Sequence, residues 1–154
     1  MASYYEITSR GALIKGREFN FSNLYLYHIY NSSEPNQQQI IDNVSSTAMG
    51  GLTVNNWTVY DGVASDATLV ARGQGLHTYA GNWHCSFTLV FEDERFNGST
   101  LEVKGIFEET HDWAIVGGTG EFAMASGVIK KTVYERTPEG TIIELTIRGF
   151  CPDF

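Results

Sequence analysis

The sequence predicts an all-β fold, on three observations. Strand-like segments recur along the chain, turn residues bound each of them, and almost nothing holds a helical period over the roughly 10–12 residues a helix needs. Glycines inside the strand segments favour a closed up-and-down barrel over a sandwich, because barrels use them to bend.

The elements follow in order. Leu24 to Tyr30 is an aromatic and aliphatic strand that ends in the polar loop Asn31 to Gln39, which contains Pro35. Ile40, Ile41 and Val44 suggest a short strand before a Gly50-Gly51 turn, and Trp57 to Tyr60 runs into the turn dipeptide Asp61-Gly62. Thr68 to Tyr79 carries Gly73 and Gly75. After Gly81-Asn82, the run Trp83 to Glu92 sets Cys85, Phe87, Leu89 and Phe91 on one face and Ser86, Thr88 and Val90 on the other. Asn97-Gly98 is a hairpin signal leading into Thr100 to Glu108. Val128 to Glu135 and Thr141 to Phe150 form the last pair, joined by Thr137-Pro138-Glu139-Gly140.

Trp113 to Ala123 admits two readings. A strand entering Gly118-x-Gly120-x-x-Ala123 fits a loose dinucleotide fingerprint, in which glycines let the backbone approach a pyrophosphate at a helix N-terminus. That motif needs a helix next. Met124 to Tyr134 instead contains Gly127 and a β-branched, aromatic run, so the glycines are read as a sharp connection between antiparallel strands.

Composition narrows the function classes. The chain has 154 residues, enough for one domain with its own core, and a net charge of −8. Phosphate backbones and anionic membranes call for clustered Lys and Arg, so neither nucleic acid nor membrane is an expected partner. Lys130-Lys131, the only adjacent basic pair, reads as a solvated strand edge. Cys85 and Cys151 lack metal-ligand spacing and read as small buried hydrophobes, and no metal or cofactor is expected. The polar start, Met1 to Glu6, has no apolar leader core, which favours a cytoplasmic location, or the apoplast if a leader has been removed. Sequons at Asn31, Asn43, Asn56 and Asn97 matter only in that second case.

A barrel of this size offers a cavity, and several residues are candidates to line it. His28 interrupts an aromatic strand and needs a partner if it faces inward. Glu121 follows the glycine connection, and an apolar barrel mouth would raise its pKa and make it a general acid. Arg72 sits in an apolar strand, suited to a carboxylate or a ligand oxygen. The three tryptophans and the tyrosines supply flat faces for phenolic rings or sugars.

Val70-Ala71-Arg72-Gly73-Gln74-Gly75, Ser86 to Phe91, and Ile115 to Gly127 together resemble the plant dirigent family, and the resemblance runs from about Leu24 to Phe150. It is strongest toward the dirigent domain that grasses fuse to a jacalin-like, mannose-binding lectin domain. The family implies an eight-stranded antiparallel barrel, commonly trimeric, with a pocket in each barrel. Some members bias phenoxy-radical coupling toward one stereoisomer without supplying the oxidant; others use acidic pocket residues to assist ring closure or water loss through quinone-methide-like intermediates. This sequence departs from the pattern at Tyr27-His28-Ile29, where His28 replaces a pocket aspartate, and at Met124-Ala125-Ser126-Gly127, where Ser126 replaces a pocket arginine. An acid is retained as Glu121, and Cys151 matches the family's C-terminal cysteine.

These readings combine into one expectation: a single dirigent domain over residues 1–154, with its barrel from about 22 to 151, acting as a non-catalytic module of a plant defence lectin. Its ligand would be a carbohydrate or related plant-wall compound, held by His28, Arg72, His77, Tyr79, Glu121, Phe122 and Ser126, with a jacalin-like lectin domain as a fused partner. The alternative is a dirigent auxiliary that steers phenoxy-radical coupling, or an acid-assisted lyase using Glu121. A third reading is a trimerising scaffold that gives a lectin multivalency.

Overall fold

A computed structural model of the chain describes residues 14–109 and 111–153. The reading of Met1 to Glu6 as a polar start falls outside them. Nine strands are present among the described residues: β1 (Gly16–Ile29), β2 (Gln37–Ile41), β3 (Leu52–Tyr60), β4 (Leu69–Tyr79), β5 (Trp83–Phe91), β6 (Thr100–Ile106), β7 (Trp113–Thr119), β8 (Ser126–Arg136) and β9 (Gly140–Pro152). They form one antiparallel sheet in the order β1-β9-β8-β7-β6-β5-β4-β3-β2, and β1 also pairs with β3. That last pairing closes eight strands into the expected barrel and leaves β2 as a ninth strand outside the ring.

The closing contact is short. Tyr25, Leu26 and Tyr27 face Tyr60, Val59 and Thr58, whereas the earlier part of the same β3 edge, from Leu52 to Asn55, pairs with β2. Where β1 hands the edge over to β2, the wall opens.

Inward positions follow the period of two. Leu24 and Leu26 on β1, Trp57 and Val59 on β3, Phe87, Leu89 and Phe91 on β5, and Leu145 and Ile147 on β9 are all buried. The interior has two halves. At the end where Gly16 pairs with Pro152, Phe19, Phe21, Phe91, Phe96 and Phe122 form a plug with ring centroids 5.0–6.2 Å apart. Toward the other end, Trp57 and Trp113 stack at 6.3 Å with planes 5° apart, and Phe87 meets both rings edge-on.

Several boundaries differ from the sequence expectation: β3 starts at Leu52 rather than Trp57, Val44 lies outside β2, and three further differences shape the interior. β1 starts at Gly16, because Phe19 and Phe21 supply the plug while the polar residues between and around them face out. A register shift between Phe21 and Leu24, with Asn23 at φ +58°, then keeps Leu24 and Leu26 inside. β2 takes in Gln37 to Gln39, expected as loop, since pairing with β3 satisfies its backbone. The glycine connection is a 3₁₀ turn, Gly120–Phe122, rather than a bare hairpin. Gly120 has φ +65°, and a Cβ on Gly118 would lie 2.2 Å from the Phe122 carbonyl oxygen, so the turn folds tightly back over its own strand.

At Gly75 an added Cβ would meet the Ser86 carbonyl oxygen of β5 at 2.4 Å and Phe87 Cα at 2.6 Å. Gly75→Ala is therefore expected to destabilise the barrel by about 1–3 kcal/mol, measurable as a lower urea midpoint with unchanged slope.

Candidate functional site

The non-plugged end carries the site. A pocket of about 490 Å³ opens between the end of β1, β2 and the β4–β5 corner, lined by His28, Tyr30, Pro35, Gln37, Gln38, Gln39, Thr53, His77, Trp83 and Phe107. Strand alternation puts them there. His28 continues the inward series Leu24, Leu26 on β1, and Thr53 and Asn55 continue Trp57 and Val59 back along β3. Thr53 pairs directly with His77.

Flat rings shape the pocket. The His77 imidazole stacks on Trp57 at 5.4 Å and on Phe107 at 5.5 Å, with interplanar angles of 28° and 16°. His28 meets Phe107 edge-on at 4.8 Å and Trp57 at 5.6 Å, and lies 6.3 Å from His77. Trp83 closes one side, edge-on to His77 at 5.2 Å.

Hydrogen bonds fix the polar groups behind this surface. Trp57 Nε1–H donates to Gln37 Oε1 at 3.0 Å, and Trp113 Nε1–H donates to the Ile106 carbonyl at 3.1 Å. Asn55 donates to the Gly73 carbonyl at 2.9 Å, with its amide oxygen 3.3 Å from His77 Nδ1. His28 Nε2 is buried and has no hydrogen-bond partner. Burial pushes the pKa of both histidines down to about 4, reinforced at His28 by the neighbouring His77 and opposed by Gln37. Both imidazoles are neutral at pH 7.

Lys131 is the residue the sequence reading misplaced. Alternation on β8 sends Ile129, Lys131 and Val133 inward and Lys130 outward, so the basic pair is split between the two faces of the sheet. The Lys131 ammonium donates to the carbonyls of Ile106, Phe107 and Glu108 at 3.3, 2.7 and 3.1 Å, and sits 4.3 Å over the Trp113 ring. Its pKa is lowered to about 8 by burial, against the pull of Cys85 and nearby acids. With three carbonyls engaged, it anchors the segment that carries Phe107. Behind His28 and Phe107 a smaller space of about 30 Å³ reaches Glu109, Lys131, Val133 and Thr141.

The structure brings together only two of the seven candidates, His28 and His77. Tyr79 lies at the rim, packed edge-on against Trp83 at 5.4 Å. Arg72 points outward and pairs with Glu92 at 3.0 Å. Phe122 belongs to the phenylalanine plug. Ser126 begins β8 in an outer groove with Glu18, Asn20 and Arg148. Glu121 lies at the plugged end, held by Arg95 at 3.0 Å and Arg17 at 3.3 Å, and the two guanidiniums lower its pKa. The expected raised-pKa acid at the mouth is thus corrected: Glu121 is an ion-paired carboxylate at the opposite end. Gln37, Thr53, Asn55 and Phe107 went unnoticed, although the inward series that carries Thr53 and Asn55 is visible in the sequence once the register is known.

Two outcomes follow. Because the folded histidines bind protons less readily than unfolded ones, their contribution is complete above pH 6.5 and is lost as pH falls toward 4. Thermal unfolding should show Tm falling across that window, and His77→Phe should flatten the slope. Glu121→Gln, at the far end from the pocket, should change the affinity for a pocket ligand by less than about twofold in a fluorescence titration.

Comparison with known proteins agrees with this architecture. The sequence profile of the Dirigent-like protein family matches residues 20–149. Pterocarpan synthase 1 of Glycyrrhiza echinata is 28% identical over 97% of this chain and 87% of its own length. Dirigent protein 11 of Arabidopsis thaliana is 27% identical over 80% of this chain and 69% of its own. The solved structure of the pterocarpan synthase dirigent protein GePTS1 superposes with a TM-score of 0.75 at 26% identity, covering 99% of this chain and 100% of that one. These relatives are dirigent proteins and pterocarpan synthases, not lectins, which overturns the expectation of a jacalin-related, carbohydrate-binding defence module. With the profile spanning the closed eight-stranded barrel almost from end to end, the chain belongs to the Dirigent-like protein family.

Proposed function

We propose that this chain binds a planar phenolic compound in the β1–β2–β4 pocket and controls the stereochemistry of its ring closure, in the manner of a pterocarpan synthase. The observation that carries this reading is His28 Nε2, a buried polar nitrogen without a partner, set among the rings of Trp57, Phe107 and His77. Such an atom costs stability unless something hydrogen-bonds to it. A flat phenol satisfies both demands at once, with its ring against the aromatic walls and its hydroxyl on the imidazole. The residues lining the pocket include no Asp, Glu, Lys or Arg, so the site suits a neutral aromatic better than an anion.

The chemistry is an internal loss of water. In an isoflavanol with a benzylic hydroxyl and a free phenol, the benzylic C–O bond breaks, water departs, and the phenolic oxygen forms the new C–O bond. No oxidant is consumed. The protein's part is to hold one face of the intermediate against the wall, move a proton at the His28 nitrogen and limit competing attack by solvent. Similarity to the Glycyrrhiza pterocarpan synthase along nearly the whole chain supports this choice. A second reading keeps the same pocket but steers the coupling of phenoxy radicals made by an outside one-electron oxidant. It is favoured by the absence of a carboxylic acid from the lining of the larger pocket, which radical steering does not require.

Incubation with a racemic isoflavanol of this kind, followed by chiral chromatography, should show accelerated formation of one pterocarpan enantiomer. His28→Phe should slow it roughly 10–100-fold. Coniferyl alcohol with a one-electron oxidant tests the second reading. Racemic product at the uncatalysed rate in both assays would refute stereochemical control.

A further inference from the structure

We propose that Asn55 and His77 form a fixed hydrogen-bond acceptor that makes the pocket select a free phenolic hydroxyl over its methyl ether. This rests on the phenolic reading above and adds the specificity that reading leaves open.

The argument begins with an amide whose orientation is determined. Asn55, 2% exposed on the inward face of β3, has one end 2.9 Å from the Gly73 carbonyl oxygen. A carbonyl oxygen only accepts, so that end of Asn55 is its NH₂ group. Its amide oxygen is therefore the atom 3.3 Å from His77 Nδ1. An amide oxygen also only accepts, which requires the proton of the ring to be on Nδ1. A neutral imidazole has one N–H. Nε2 is left as a bare lone pair.

The ring is not free to exchange these roles. Trp57 and Phe107 pack beside it with near-parallel planes and Trp83 meets it edge-on, while a flip of the ring would break the bond to Asn55. Its surroundings also keep it neutral, as its pKa of about 4 reflects. His77 thus presents the pocket with an atom that accepts a hydrogen bond and cannot donate one at neutral pH.

That chemistry sorts ligands by a single proton. A phenol donates to Nε2; a methyl ether of the same shape cannot, and it leaves the nitrogen desolvated and unpaired. Sites built to hydrogen-bond a hydroxyl discriminate strongly against analogues that lack it. Asn55 touches no ligand; it is a positioning residue that acts through His77.

The test uses the native chain in two measurements. Long-range ¹H–¹⁵N NMR on uniformly labelled protein at pH 7 should show His77 as the Nδ1–H tautomer; a dominant Nε2–H tautomer overturns the proposal. Tryptophan-fluorescence titration with coniferyl alcohol and with its phenolic methyl ether should show the phenol binding about tenfold or more tightly. Equal affinities overturn the selectivity while leaving phenolic binding intact, whereas no saturable binding of either probe removes both. His77→Phe, which keeps a flat ring, should bring the two affinities together, and Asn55→Leu should shift the His77 tautomer toward Nε2–H. A tenfold preference that survives His77→Phe counts against the assignment.

Discussion

Closure of the ring between β1 and β3 is the constraint on which the rest of the molecule depends. Three residue pairs join these strands, Tyr25 to Tyr60, Leu26 to Val59 and Tyr27 to Thr58, and without them the sheet would present two unpaired edges to solvent. Closure also dictates the interior, because every second residue of eight strands must then fill one narrow space. The pocket exists where this closure stops. β1 runs on past β3 to His28 and Ile29, β2 takes over the free edge of β3, and the space between them is the mouth.

The two ends of the interior meet the cost of burial differently. At the plugged end the problem is only to fill space, and five phenylalanines do so with tilted and edge-on contacts. Glu121 reinforces that end from outside through two arginines, in a partly exposed position where such pairs contribute little to stability. At the open end polar side chains face inward, and nearly all are tied down: Asn55 to Gly73, Trp57 to Gln37, and Lys131 to three carbonyls. The His28 Nε2 and Glu108 Oε2 atoms are the exceptions, both buried without a hydrogen-bond partner.

Much of the fold was legible in the sequence because alternation and turn chemistry are local signals. Cys85, Phe87, Leu89 and Phe91 could be assigned to one face by counting, and the hairpins at Asn97-Gly98 and Thr137 to Gly140 by their turn residues. The site was less legible because it depends on register. Phe19 and Phe21 were overlooked between polar neighbours, and that shortened β1 and hid the plug. Without the plug, nothing indicated which end of the barrel was closed, so Glu121 was placed at the mouth when its turn lies at the other end. Lys131 was lost to its neighbour: two adjacent lysines suggest one solvated patch, but on a strand they occupy opposite faces. The resemblance of short motifs identified the family correctly, while the lectin reading leaned on His28, Glu121 and Ser126, which the barrel does not gather into one pocket.

The chain enters and leaves the barrel at the plugged end, where Gly16 pairs with Pro152 and the Asp153 amide donates to the Lys15 carbonyl. The β1–β2, β4–β5, β6–β7 and β8–β9 connections all cross the opposite end. Packing that keeps the domain folded is thus spatially separate from the loops that frame its mouth. Such a plan lets substitutions and insertions accumulate around the opening with little penalty to the scaffold, so that one barrel can diverge in ligand while its folding remains nearly constant.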